Sequence, residues 1–453
     1  MEFDLRLMSV SHSLEKHPVL EECVKYKIKY LNVLEYFVNK YSKKDEFALE
    51  TLKNYKNALL GKDVDQYSYS EQELKKVSKG VIGVKFKGFK LFTYRYSLVC
   101  DCLFINSMMN YDEANEILSE IKSIYRKRYH KKLDLLFDML YKNKEYIEGV
   151  DKVKYQIECL EKNKQYLKQK QMKILTTANM SAGKSTLINA LVGKKINRTM
   201  NDSCTSKLHY IYNKAFEDGF NYKLDGELNL DAGEQVLLNN SEGNNTSKIF
   251  ISTYFNSLIS QQYRLCIIDT PGVNSSMDLQ HSDVTKSTII NQEYDKLLYL
   301  INAENAGTND DLKYLNYICQ NVDESKIIFV LNKLDRFRLS EDSIEDSINN
   351  IKGDLLKLGI ENPVICPISA YAGLLAKKKM LGKNLDEDEQ DEYILLHRKF
   401  KSDGYNLSKF YSDEIIKKIN NNFRGKEKCI SIELLINCGI LCLEQIIIEG
   451  EEY

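Results

Sequence analysis

The chain has almost no net charge: 64 Lys and Arg stand against 65 Asp and Glu across 453 residues. That balance excludes the broad basic field with which nucleic-acid binders gather phosphates, and leaves only local patches. The 11 cysteines lack the paired spacing of zinc knuckles, and only Cys100 and Cys102 stand close together. Buried thiols in a reducing compartment are expected instead of a zinc site. Met1 to Leu20 carries Glu2, Asp4, Arg6 and Glu15 and no apolar run of signal-peptide length. The longest membrane-like stretch, Leu434 to Leu443, lies between Glu433 and Glu444 and has about half the length that a bilayer crossing requires. These absences predict a soluble, cytoplasmic protein with no nucleic-acid partner.

What is present is periodicity, and it changes along the chain. Up to about residue 170 apolar residues recur at spacings of three and four, as in Val24, Ile28, Leu31, Leu34, Phe37 and Val38, which predicts helices. Further helices are expected at 90–108, 112–128 and 131–147, with a long charged one from Val153 to Lys170. Gly80, Gly83 and Gly88 break an apolar run that reads as a loop or a short hairpin. From 172 to about 375 apolar strands alternate with amphipathic helices, with clear strands at 172–177, 264–268, 297–302, 326–331 and 363–367. That alternation predicts an α/β fold, a mostly parallel sheet with helices on both faces. Three domains follow: helical 1–170, α/β 171–375, and C-terminal helices 376–453 packing on either neighbour. Asp386 to Glu389 reads as a solvated helix start, and one final helix is expected at about 431–448.

The α/β part is organised around Ala178-Asn179-Met180-Ser181-Ala182-Gly183-Lys184-Ser185-Thr186. Apart from Ala178 it fits G-x-x-x-x-G-K-[ST], between a strand and an apolar helix. Loop N–H groups and the helix N-terminus present partial positive charge to a polyphosphate. Lys184 would reach the β- and γ-phosphates and Ser185 would hold Mg²⁺. Ala178 stands where a tight turn should want glycine, so its Cβ is expected to crowd and weaken the loop.

Three more motifs follow, each at the carboxyl end of an expected strand, where an open α/β sheet binds its ligand. In Asp269-Thr270-Pro271-Gly272 the carboxylate can hold a magnesium-bound water and the Gly272 N–H can meet a γ-phosphate. In Asn332-Lys333-Leu334-Asp335, Asp335 can accept from guanine N1–H and its C2 amine, a donor pair that adenine lacks. The Lys333 stem can lie over the purine face. In Ser369-Ala370 the backbone N–H groups are expected to meet guanine O6. The set in this order predicts GTP binding.

This set resembles a translation-factor-type GTPase, and more narrowly the bacterial branch of the dynamin superfamily. The narrower likeness rests on Ser181 to Leu191 and on Asp269-Thr270-Pro271-Gly272-Val273-Asn274-Ser275. The enlarged span before Asp269 and the helix after Ser369-Ala370 agree with it. The resemblance covers about 170 to 448. It implies that Thr205, in Ser203-Cys204-Thr205-Ser206, ligates Mg²⁺ and places the attacking water. It implies that Ser181 helps to cradle the phosphates, with Asn179, Met180, Ala182, Gly183 and Thr186 completing the loop. Met180 stands where eukaryotic relatives carry a catalytic glutamine, so that role does not transfer. His281, soon after the second switch, is either catalytic or an ordinary surface histidine.

The resemblance further implies GTP hydrolysis to GDP and phosphate, and self-association through the GTPase domain. A membrane surface or a second dynamin-like subunit is the further partner it suggests, with a peripheral location at a membrane. Only a short helical tail follows the α/β part, which leaves 1–170 as the larger candidate for a stalk or partner module. The alternative is a GTP-gated interaction module with little turnover, which Ala178 and Met180 favour. A ribosome-assembly GTPase fits less well, because no basic tail is evident.

Overall fold

In a computed structural model the described residues are 14–42, 45–61, 94–106, 110–125, 127–142, 150–179, 181–197, 207–238, 247–256, 258, 260, 262–271, 279–338, 340–423 and 430–449. The expected glycine-broken run at 80–88 lies outside them. The chain divides into two compact units, Met1–Gln169 with Lys214–Ala232, and Lys170–Asn213 with Gly233–Tyr453. The segment 214–232 falls inside the 171–375 expected for the α/β part.

The first unit is built on helices Val24–Tyr41, Glu46–Leu60, Arg95–Asn106, Tyr111–Ile124, His130–Lys142 and Lys154–Lys168. Arg95–Asn106 is buried on every side from Tyr96 to Ile105, so it can only be the centre of the bundle. Its Asp101 is fully buried, and a buried charge is tolerated only when hydrogen-bonded. The carboxylate lies 2.9 Å from His17 Nε2 and accepts from Tyr55 at 3.1 Å, Gln156 at 2.9 Å and Tyr30. Burial pushes the neighbouring Cys100 and Cys102 thiols well above their ordinary range, as expected for structural cysteines.

The strands, numbered in chain order, are β1 (Lys170–Ala178), β2 (Leu208–Asn213), β3 (Tyr222–Asp225), β4 (Glu227–Asn229), β5 (Lys248–Thr253), β6 (Tyr263–Asp269), β7 (Lys296–Asn302), β8 (Ile327–Asn332) and β9 (Val364–Pro367). The antiparallel hairpin β3–β4 belongs to the first unit. In the second unit the order is β5-β2-β6-β1-β7-β8-β9. Every pairing there is parallel except β2 against β6. β8 is buried at every residue, which requires cover on both faces of the sheet. Because β6, β1, β7, β8 and β9 run parallel, their carboxyl ends share one edge. Thr176 stands level with Asp269, Ala178 with Leu300, Asn302 with Asn332 and Leu331 with Pro367.

The expected single helix at 431–448 is two, Ile430–Asn437 and Ile440–Glu449, bent by 67°. The break is at Gly439, whose φ is +78°, and a Cβ there would stand 2.3 Å from the Pro367 carbonyl. Close backbone approach in a left-handed conformation demands glycine at that point. Among the described residues no single helix is long and apolar enough to cross a membrane.

Candidate functional site

At the shared strand edge β1 runs into the Gly-Lys-Ser loop. Ala178 is its last residue, 1% exposed and in register with Leu300. Among the described non-glycine residues only Ser181 (φ +58°) and Lys333 (φ +72°) are left-handed. The expectation of a tight turn at Ala178 is therefore corrected: that position is the end of a strand, and among the described loop residues the left-handed conformations fall on Ser181 and Gly183. Gly183, at φ +85°, precedes the helix Lys184–Val192, and a Cβ there would lie 2.5 Å from Asn332 Nδ2. A side chain at Gly183 is thus excluded twice, by conformation and by space.

Neighbouring elements hold the loop in place. Asn332 Nδ2 donates to the Ala182 carbonyl at 2.8 Å. Asn179 donates to Asp311, and the Thr177 and Tyr314 hydroxyls stand 2.5 Å apart. Asp311 and Tyr314 come from one helix, Asn309–Asn321.

Lys184 Nζ donates to Asp269 Oδ1 and to the Thr270 carbonyl. The other Asp269 oxygen accepts from Asn197 Nδ2 at 2.7 Å. Asn197 is itself placed by Asn189, which accepts from the Ile196 and Asn197 N–H groups and donates to the Asn197 carbonyl. A cation and a carboxylate so arranged match the two halves of a metal–polyphosphate ligand. The donor chemistry also fits: the Ser185 hydroxyl and the Asp269 carboxylate are hard oxygens. Magnesium characteristically takes one or two such ligands and fills the rest with water and phosphate. No cluster of three His, Cys, Asp or Glu among the described residues offers an all-protein cage.

Farther along the edge, β8 delivers Asn332, and the left-handed Lys333 opens a turn over Leu334–Arg336. Ser369 Oγ donates to Asp335 Oδ1 at 2.7 Å, and accepts from the Ala372 N–H at 3.1 Å as the cap of helix Ala370–Met380. The Ala370 N–H donates to Asn332 Oδ1 at 2.9 Å, and that of Ser369 to the Cys438 carbonyl at 3.0 Å. The expectation that these two N–H groups face a purine oxygen is corrected accordingly; they secure the asparagine and the tail instead. Burial, and then the nearby Arg336 charge, draws the Lys333 ammonium below its ordinary range. Glu304 faces both cations, at 3.8 and 3.6 Å.

A cavity of about 330 Å³ opens here, lined by Gly183 and Thr186 at one end and by Asn332, Lys333, Asp335 and Tyr371 at the other. The loop and the Asn-Lys-x-Asp motif therefore share one space. Met180, Thr205 and Gly272 lie outside the described residues, as does the His281 side chain. Sequence reasoning missed Asn197 and Tyr371. Asn197 carries no local signal, since its role exists only through the fold that sets it against Asp269. Tyr371 follows Ser369-Ala370 directly, and adjacency to that motif was the available clue.

Residues 174–334 match the family model described as Dynamin family. A probable transmembrane GTPase, FZO-like and chloroplastic, of Arabidopsis thaliana is 31% identical over 112 residues, covering 24% of this chain and 12% of that protein. Dynamin-like protein A of Bacillus subtilis is 24% identical over 198 residues, covering 42% of this chain and 16% of that protein. The matches thus span a small fraction of these relatives. Among solved structures, an oligomerised bacterial dynamin pair is similar at 18% identity and a TM-score of 0.34, covering 89% of this chain and 61% of that one.

Proposed function

We propose that this chain, whose residues 174–334 match the dynamin family, binds Mg²⁺–GTP and hydrolyses it to GDP and phosphate. The observation that supports this most directly is the single cavity bounded by the Lys184 loop and by Asp335. A triphosphate laid from Lys184 towards Asp335 would set its purine beside a carboxylate that accepts from guanine and finds no such donors on adenine. Ser369 would keep that carboxylate turned towards the base.

Magnesium, when bound, would offset the negative charge of the β- and γ-phosphates. The chain's own part is positioning and electrostatics, which is what phosphoryl transfer to water demands. Lys184 would exchange its contact with Asp269 for the phosphate oxygens. Asp269, still oriented by Asn197, would then be available to the metal or its water. Ser185 would supply a second oxygen, Thr205 would place the attacking water, and the Gly272 N–H would meet the γ-phosphate.

Purified protein should release phosphate from GTP in the presence of Mg²⁺ and should leave ATP intact. Thr205→Ala should keep GTP affinity while slowing release at least tenfold, as for a group acting on water and metal in the transition state. ATP turned over as fast as GTP would defeat this reading. We further propose self-association through the GTPase domain and action at a membrane surface, by likeness to dynamins. Turnover that rises with protein concentration or with anionic liposomes would support that extension. A flat, slow rate would favour the GTP-gated interaction module.

A further inference from the structure

The turn that carries Asp335 is gripped from beneath by a segment well beyond the family match. Lys399, near the end of helix Glu387–Lys401, donates to the carbonyls of Asp335 and Phe337, both at 2.7 Å. Its ammonium lies 4.4 Å from the centre of the Tyr405 ring. The Tyr405 hydroxyl donates to the same Phe337 carbonyl at 3.1 Å. The first turns of this helix also reach the cavity: Glu389 pairs with Lys378, Glu392 accepts from Tyr371, and all four residues line the space around Asp335.

We infer that Lys399 is a positioning residue for base recognition, holding the Asp335 turn at the height where its carboxylate meets guanine. The inference rests on the GTP reading above. Carbonyls at the end of a short helical turn carry partial negative charge and lack intrahelical donors. One ammonium between two of them neutralises that charge and ties both to a rigid helix. Ser369 then fixes the Asp335 side chain while Lys399 fixes its backbone. With the backbone anchor gone, the turn can rock and the carboxylate loses its aim. The loss falls on the base and leaves the phosphates untouched, because Lys184 and its loop are anchored through Asp269, Asp311 and Asn332.

The test is competition binding of GTP, inosine triphosphate (which lacks the C2 amine) and inorganic tripolyphosphate to the full chain. The wild type should prefer GTP to the inosine nucleotide by about tenfold or more, the worth of one charge-assisted hydrogen bond. Lys399→Met should weaken GTP by well over tenfold and the inosine nucleotide, which keeps only the N1–H bond to Asp335, by about tenfold less, so that the preference collapses. Tripolyphosphate affinity and kcat at saturating GTP should stay within about twofold. Lys399→Arg should recover most of the preference, since its guanidinium can still donate to both carbonyls. An undiminished preference in Lys399→Met overturns the inference, and so does a parallel loss for all three ligands, which marks general loosening. Should Lys399→Met fail to fold, Tyr405→Phe decides: it removes the second donor to Phe337, and must lower the preference without touching tripolyphosphate. A wild type that cannot tell GTP from the inosine nucleotide would overturn the guanine reading itself, and Lys399 with it.

Discussion

Asn332 and Ala182 are joined across 150 positions of sequence by a hydrogen bond of 2.8 Å, from the asparagine amide to the loop carbonyl. The same side chain accepts from the Ala370 N–H at 2.9 Å. One buried residue therefore ties the Gly-Lys-Ser loop, the turn that carries Asp335 and the cap of helix Ala370–Met380. It sets the distance between the two ends of the cavity.

Asn332→Ala should orphan a buried carbonyl and a buried N–H, costing about 1–3 kcal/mol for each group left without a partner. Because it anchors the phosphate loop as well as the turn, it should weaken GTP and inorganic tripolyphosphate alike. Denaturant titration and competition binding check both parts. A variant that loses nucleoside binding while keeping tripolyphosphate would show that the loop stands without Asn332.

Lys184→Met should abolish tight nucleotide binding, since the charge expected on the β- and γ-phosphates is gone. It also strands Asp269, 1% exposed, without its cation, a loss of about 3 kcal/mol in stability by analogy with other broken buried pairs. Adding Asp269→Asn should restore most of that stability and none of the binding. The unfolding midpoints of the two single variants and the double variant give the coupling directly. Additive midpoints would mean that the pair contributes nothing.

Ala178→Gly should leave GTP affinity unchanged, because Ala178 lies in β1 beside Leu300 with no left-handed conformation to relieve. Glycine within a strand should lower stability by roughly 0.5–1 kcal/mol through chain entropy. Calorimetric titration with GTP and a denaturation curve suffice. Tighter binding in the glycine variant would reinstate crowding as the explanation.

Asp335→Asn should exchange the base preference. The new amide turns a donor towards C2, where guanine carries an amine and xanthine a carbonyl. Loss of a charge-assisted bond plus one opposed donor should weaken GTP by about 2–4 kcal/mol while favouring xanthosine triphosphate. Competition with both nucleotides on both proteins reads the switch. A variant that still prefers guanine would place the base elsewhere.

Much of this site was legible because its chemistry is contiguous. A phosphate cradle needs successive N–H groups, so the residues proposed for it, Ser181 to Thr186, are neighbours in sequence. The strands β1, β6, β7, β8 and β9 announced themselves as apolar runs. β2 and β5, within the enlarged span before Asp269, carry His209, Ser252 and Thr253 at buried positions and read less plainly. The final helix reads as continuous because Gly439 is a lone residue in an apolar stretch. Only the Pro367 carbonyl pressing against it shows why the chain must bend there.

By itself the sequence determined the α/β alternation, the order of the four motifs and the residue types proposed to meet phosphate, metal and guanine. Those are local properties, set by backbone geometry and by side-chain chemistry at fixed spacing. Tertiary structure alone decided which groups hold those motifs still. It set Asn197 against Asp269, Asn332 against Ala182 and Lys399 under the Asp335 turn. It also placed Ala178 in the strand and spent the Ser369 and Ala370 N–H groups inside the protein. The reason is physical: a buried polar group must find its hydrogen-bond partner wherever the fold brings one, and no pattern along the chain records that distance.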